Sequence, residues 1–185
     1  MNRTTLGQIN FRTHISTALA TVLVSGCATQ MDAKSALATP ANLAPAAGET
    51  QALRLPAIGV QIYECKVVDG KPAAWAFVSP EADLFDETGV RVGKHYAGPT
   101  WELNDGSKIV GTVKERANSA TPGAIPWLLL SAKSTGSAGK LEKVASLQRV
   151  NTVGGVAPAT GCTTGDIGKQ ARVYYKADYV YFAAK

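Results

Sequence analysis

Three turn dipeptides, Asp69-Gly70, Thr88-Gly89 and Asp105-Gly106, recur at intervals of 19 and 17 residues, each with strand-forming runs on both sides. Turns this closely spaced leave room for short strands but not for long amphipathic helices, so the pattern is that of an antiparallel meander. It predicts hairpins pairing 60–68 with 73–78, 82–85 with 90–92, and 101–103 with 108–113. Further strands are predicted over 125–132, 144–150 and 174–182. The middle one of these competes with a helix, because Leu141, Val144, Ala145 and Gln148 share one helical face. In the last, Tyr175, Ala177, Tyr179 and Tyr181 point one way while Tyr174, Lys176, Asp178 and Val180 point the other. By contrast, Ile125-Pro126-Trp127-Leu128-Leu129-Leu130 is apolar almost throughout, as in a strand covered on both faces, with its proline at the strand start or an edge. The expected fold is all-β, an antiparallel β-sandwich or barrel of nine or so strands; strand number does not choose between the two.

The N-terminal third has a different character. Residues 1–26 carry Arg3 and Arg12, no acid, and an apolar run over 15–24. That run is about half the roughly twenty residues that a spanning helix needs, which reads as a removable export signal. Val24-Ser25-Gly26-Cys27 resembles the bacterial lipobox. The resemblance implies that Cys27 is acylated and becomes the new N-terminus, placing the chain in the cell envelope with the membrane as partner through that lipid. Ala28 in the next position is compatible, by family analogy, with the outer membrane. A plain signal cut after Ala18-Leu19-Ala20 is the alternative, and leaves Cys27 free. Residues 27–55, rich in Ala and Pro and without an aromatic, read as lipid anchor and flexible tether. The competing reading docks this segment through Leu37, Leu43 and Leu53. Residues 56–185 are then one all-β domain.

Without residues 1–26, 17 basic residues face 14 acidic ones, scattered singly along the chain. Nucleic acid is not an expected partner of so dispersed a charge. With Cys27 acylated, Cys65 and Cys162 remain as an even pair in an oxidising compartment, and a disulfide between an early strand and a late loop follows.

Long phrases of this chain resemble one secreted family of bacteria and fungi, the domain of unknown function 3455 family. They are Gly59-Val60-Gln61-Ile62-Tyr63-Glu64-Cys65, Pro80-Glu81-Ala82-Asp83-Leu84-Phe85-Asp86, His95-Tyr96-Ala97-Gly98-Pro99-Thr100-Trp101-Glu102, Ile125-Pro126-Trp127-Leu128-Leu129-Leu130 and Gln148-Arg149-Val150-Asn151-Thr152-Val153-Gly154-Gly155. The resemblance runs from about 55 to 182 and implies no activity. A dehydrogenase label carried by some members has no support in this chain, which lacks a Gly-x-Gly-x-x-Gly dinucleotide fingerprint.

The two histidines are His14, within the signal, and His95. One mature imidazole and no ligand-spaced cluster give no metal site, and no cofactor is expected. A triad from His95 with Glu102 or Asp105 and Thr100 or Ser107 is conceivable on residue type, without a nucleophile elbow to support it. The segment 95–102 gathers an imidazole, a phenol, an indole and a carboxylate around a Gly-Pro turn. If that loop lines a pocket, His95, Tyr96, Trp101, Glu102 and Arg149 are its ligand-binding residues; otherwise Trp101, like Trp75 and Trp127, anchors the core and Glu102 pairs with a lysine. The turn after Arg149 is either an anion-binding nest or a loop needing positive φ at Gly154 or Gly155. The expected function is a non-catalytic envelope lipoprotein binding a small molecule or an envelope partner. The alternative is an exported hydrolase or lyase with His95 as general base beside Glu102.

Overall fold

The computed structural model describes residue 1, residues 39–67 and residues 69–185. The signal beyond Met1, Cys27 and the first part of the expected tether lie outside the described residues. Eight strands follow in order: β1 (Glu49–Lys66), β2 (Ala74–Phe85), β3 (Arg91–Tyr96), β4 (Thr100–Leu103), β5 (Lys108–Ala117), β6 (Trp127–Ser134), β7 (Val144–Gly154) and β8 (Gln170–Ala184). Each pairs antiparallel with its neighbour in sequence, and β8 returns to β1, so the meander closes as a barrel. The turn glycines Gly70, Gly89 and Gly106 all have positive φ (69°, 84° and 84°), which is why glycine stands there. Segment 144–150 is strand, not helix, because β6 and β8 flank it and complete its backbone hydrogen bonds.

Two expectations need correction. Segments 73–78 and 82–85 are one strand, β2, rather than two. Register passes from Ile62 opposite Ser79 to Tyr63 opposite Phe77, which leaves Val78 as an extra residue; this bulge keeps a strand containing Pro80 within the sheet. The tether also ends earlier than residue 55. Strand β1 begins at Glu49, and its first half pairs with the far end of the chain, Glu49 opposite Ala184 through Leu55 opposite Tyr179. Ahead of it, a 3-10 turn (Ala41–Leu43) seats a fully buried Leu43 on the outer wall against Trp127, Val150, Val180 and Phe182. Gln148 Nε2 donates to the Leu43 carbonyl at 2.6 Å. The segment orders because a ready-made apolar patch covers its one large side chain, as the competing reading that docks it through Leu43 has it.

Alternation decides what fills the barrel. Tyr175, Ala177, Tyr179 and Tyr181 of β8 are buried inside it, as their period requires, while Tyr174 is exposed outside. On β6 both faces are covered: Leu128 and Leu130 face the interior, and Trp127 and Leu129 face the outer cluster capped by Leu43. The rest of the outer wall carries ion pairs, Arg54 with Asp178 and Arg172 with Glu81 among them. A wall apolar inside and charged outside is the inverse of a barrel whose exterior meets lipid.

The two ends differ. Where the β4–β5 and β6–β7 connections meet, the Asp105 carboxylate accepts hydrogen bonds from Ser107 and from the Lys140 amide, and Leu141, fully buried, donates its N–H to Ser107 Oγ. These bonds hold the Asp105 carboxyl below its usual range. This end is plugged. At the other end the long β7–β8 connection is tied to β1 by a Cys65–Cys162 disulfide, with Cα atoms 5.3 Å apart. Tyr63 donates to the Gly155 carbonyl at 2.6 Å and Trp75 Nε1 to the Thr160 carbonyl at 2.9 Å, fixing the same loop.

Candidate binding cavity

A cavity of about 410 Å³ occupies the disulfide-bearing end of the barrel. Its apolar wall comes from Val113, Ile125, Leu128 and Leu130, and its aromatic wall from Tyr63, Phe77, His95, Trp101 and Tyr179. Room for the indole comes from Gly111: a Cβ there would meet Trp101 Cζ3 at 2.8 Å and Leu130 Cδ2 at 3.2 Å. Directly opposed across β3 and β4, His95 and Trp101 stack with ring centroids 4.2 Å apart and planes 12° from parallel. Tyr179 meets both rings edge-on, at 63° and 73°.

His95 is 3% exposed, and its Nδ1 lies 2.8 Å from the Thr100 carbonyl. A carbonyl only accepts, so Nδ1 carries the proton and donates it. Burial pushes the His95 pKa down to about 3; the Thr100 hydrogen bond opposes that shift, and the Arg149 charge adds to it. The imidazole is therefore neutral at any ordinary pH. Burial likewise raises Tyr63 and Tyr179, with Arg149 pulling the other way in each. Arg149 itself, opposite Tyr179 on β7, faces inward, and its Nε and Nη2 donate to the Pro126 carbonyl at 3.2 and 2.8 Å.

The five residues expected to bind a ligand thus divide. The structure brings His95, Trp101 and Arg149 together at the cavity. Tyr96 and Glu102 do not join them, because 95–96 and 101–102 belong to strands and neighbours in a strand face opposite sides of the sheet. On the outer face the Tyr96 hydroxyl donates to Glu102 Oε2 at 2.6 Å and holds that carboxyl below its usual range, with Lys94 3.7 Å away. The pairing of His95 as base with Glu102 is therefore excluded by the sheet between them. Of the other proposed triad members, Thr100 meets His95 through its backbone carbonyl. Thr100 Oγ1 donates to the Ala97 carbonyl at 2.9 Å, and Asp105 and Ser107 lace the plugged end. In the turn read as either a nest or a positive-φ loop, Gly154 and Gly155 have φ of 65° and 83°, and their carbonyls accept from Ile125 N and Tyr63. That is the conformational role of the two glycines.

Most of the cavity lining was not among the expected ligand-binding residues, Gln61, Phe77 and Arg116 included. Gln61 was legible: it is the polar member of the inward series Leu55, Ala57, Gly59, Gln61 and Tyr63 on β1, and it is 2% exposed. Its Nε2 and Trp101 Nε1 are buried without a hydrogen-bond partner. Phe77 and Arg116 were not legible, since each faces inward only because a bulge lies beside it in its strand. In β5, register passes from Val113 opposite Leu130 to Glu115 opposite Leu129, and this brings Arg116 opposite the inward-facing Leu128. Without the extra residue, Arg116 would project from the outer wall.

A family model described as "Protein of unknown function (DUF3455)" matches residues 45–183, beginning close to the start of β1. No curated protein and no solved structure matches the chain.

Proposed function

The chain belongs to the DUF3455 family of proteins of unknown function, and from that premise we propose that its barrel is a binding module that takes one small molecule into its disulfide-bearing end and does not turn it over. The cavity carries this reading. Its volume falls within the range of small-ligand sites, and an eight-stranded barrel has interior space for one such ligand. Apolar walls with a few convergent polar groups (Gln61, His95, Trp101 and Arg149) are the composition of a site that fixes orientation as well as affinity. Against His95 as a general base stand its low proton affinity, which burial imposes, and its stacked, hydrogen-bonded place away from any carboxylate partner among the described residues.

The test is an NMR screen of a small-molecule panel that reads the three indole N–H resonances, assigned with Trp101→Phe. Binding in the cavity shifts Trp101 and spares Trp75 and Trp127. If no compound moves Trp101, the reading fails.

As for place, the lipobox-like Val24-Ser25-Gly26-Cys27 supports export and acylation at Cys27, so that the barrel hangs from an envelope membrane, the outer one by analogy. A disulfide suits the oxidising compartment that this requires. Intact mass of the membrane-extracted protein decides it. Acylation makes the wild type heavier than Cys27→Ser by the lipid, whereas masses that agree after allowing for the atom exchange end the lipoprotein reading.

A further inference from the structure

We propose that the cavity is built for a small aromatic carboxylate, its ring against Trp101, Leu128 and Leu130 and its acid group at the Arg149 and Arg116 guanidiniums. This rests on the binding-module reading and goes further by naming the ligand chemistry.

Charge is the first observation. Two guanidiniums line the cavity, and among the described residues that line it none is an aspartate or glutamate. Among the described ion pairs, neither arginine has a carboxylate partner. Arg149, half-buried, and Arg116, exposed at the mouth, thus meet the cavity without a counter-ion, and a bound anion supplies what the protein omits.

Donor excess is the second. Trp101 Nε1 can only donate, and it is buried beside the cavity with nothing to donate to; the Gln61 amide nitrogen is in the same state. Arg149 spends two donors on the Pro126 carbonyl and also bonds the Tyr179 hydroxyl, and a guanidinium has five donors. Such a wall calls for a ligand rich in acceptor oxygen.

The third is construction. The two bulges that interrupt β2 and β5 turn an aromatic, Phe77, and a cation, Arg116, toward the cavity rather than outward. Bulges that re-aim side chains accumulate next to functional sites. With Tyr63 packed edge-on against Phe77 at 5.8 Å and Tyr179 edge-on to Trp101, the surroundings of the ring are aromatic as well as apolar.

The experiment titrates the exported chain with trans-cinnamate, trans-cinnamamide and octanoate, following the Trp101 indole resonance. Cinnamate is expected to bind at least tenfold more tightly than either of the others, and Arg149→Gln is expected to remove its advantage over the amide. Because Arg149 also holds Pro126, Arg116→Gln at the exposed mouth provides a second variant, expected to weaken cinnamate about threefold or more with the amide unchanged. Equal binding of cinnamate and cinnamamide, or octanoate as tight as cinnamate, overturns the proposal and leaves the binding module standing. Failure of all three probes to move Trp101 also overturns it, and the wider panel then decides whether the module survives.

Discussion

His95 and Trp101 lie face to face, 4.2 Å between ring centroids, as opposed residues of β3 and β4 on the inner wall of the barrel. The stack joins the single imidazole of the described fold to the largest buried side chain of the cavity, so the protonation state of one ring bears on the packing of the other.

Acid should therefore weaken the fold through His95. The unfolded chain takes this proton near the ordinary 6.5, and the folded chain only near 3, so the folded state binds fewer protons between those values. The contribution is fully present above pH 6.5 and is lost as pH falls through that window, at up to about 1.4 kcal/mol per pH unit. Urea denaturation at pH 7 and pH 4.5 should show a loss of roughly 2–3 kcal/mol in the wild type and a much smaller one in His95→Gln. A wild type equally stable at both values would mean that the imidazole is not held neutral.

Gly111 gives the indole its place. Gly111→Ala drives a methyl group into Trp101 and Leu130, and a rigid, stacked ring cannot yield as a flexible chain would. A cost of about 1–3 kcal/mol is expected, together with a changed near-ultraviolet circular dichroism from the displaced indole. Unchanged stability and spectrum would contradict the geometry.

Loss of the disulfide should act at the cavity mouth before it acts on the barrel. The Cys65–Cys162 bond closes a separation of 97 residues, and its removal by paired Cys→Ser substitution should cost about 2–5 kcal/mol. Limited proteolysis should then cut first within 156–167, since the ties left on that loop are Tyr63, Trp75, the Thr163–Asp166 capping box and, at its far end, the backbone bonds of Cys65 with Gly168 and Lys169. First cleavage elsewhere would show that the bond does not govern this loop.

Leu43 should behave as a core residue despite lying ahead of the first strand. It is fully buried against Trp127, Val150, Val180 and Phe182, so Leu43→Ala should cost about 2–4 kcal/mol and free the segment before Glu49 to proteases. A change below 0.5 kcal/mol would return the segment to the tether.

Glu102→Gln is the contrasting case. Its partners Tyr96 and Lys94 are outside the barrel and solvated, so stability should change by less than about 1 kcal/mol and the Trp101 resonance should stay in place. A shift of Trp101 would place Glu102 within reach of the cavity and revive its pairing with His95.

What the residues determined by themselves was local. Turn dipeptides set the hairpins, because a glycine at positive φ acts within four residues of chain. The period of β8 assigned its buried face, and the doubly apolar run of β6 announced two covered sides, because alternation is a property of one strand. Cys65 and Cys162 were paired by counting and found paired. The same alternation separates Trp101 from Glu102 within the strand expected over 101–103, and it would have separated His95 from Tyr96 had 95–96 been read as strand rather than loop.

Tertiary structure alone decided the rest. Closure into a barrel depends on β1 meeting β8 across the length of the chain, and no single run of residues encodes that contact. The seat of Leu43 exists only once β6, β7 and β8 lie side by side. Above all, the inward turn of Phe77 and Arg116 depends on where a register slips against a partner strand, and one extra residue there exchanges inside for outside. Facing is set by pairing, pairing by distant neighbours, and the cavity is made where those long-range choices meet.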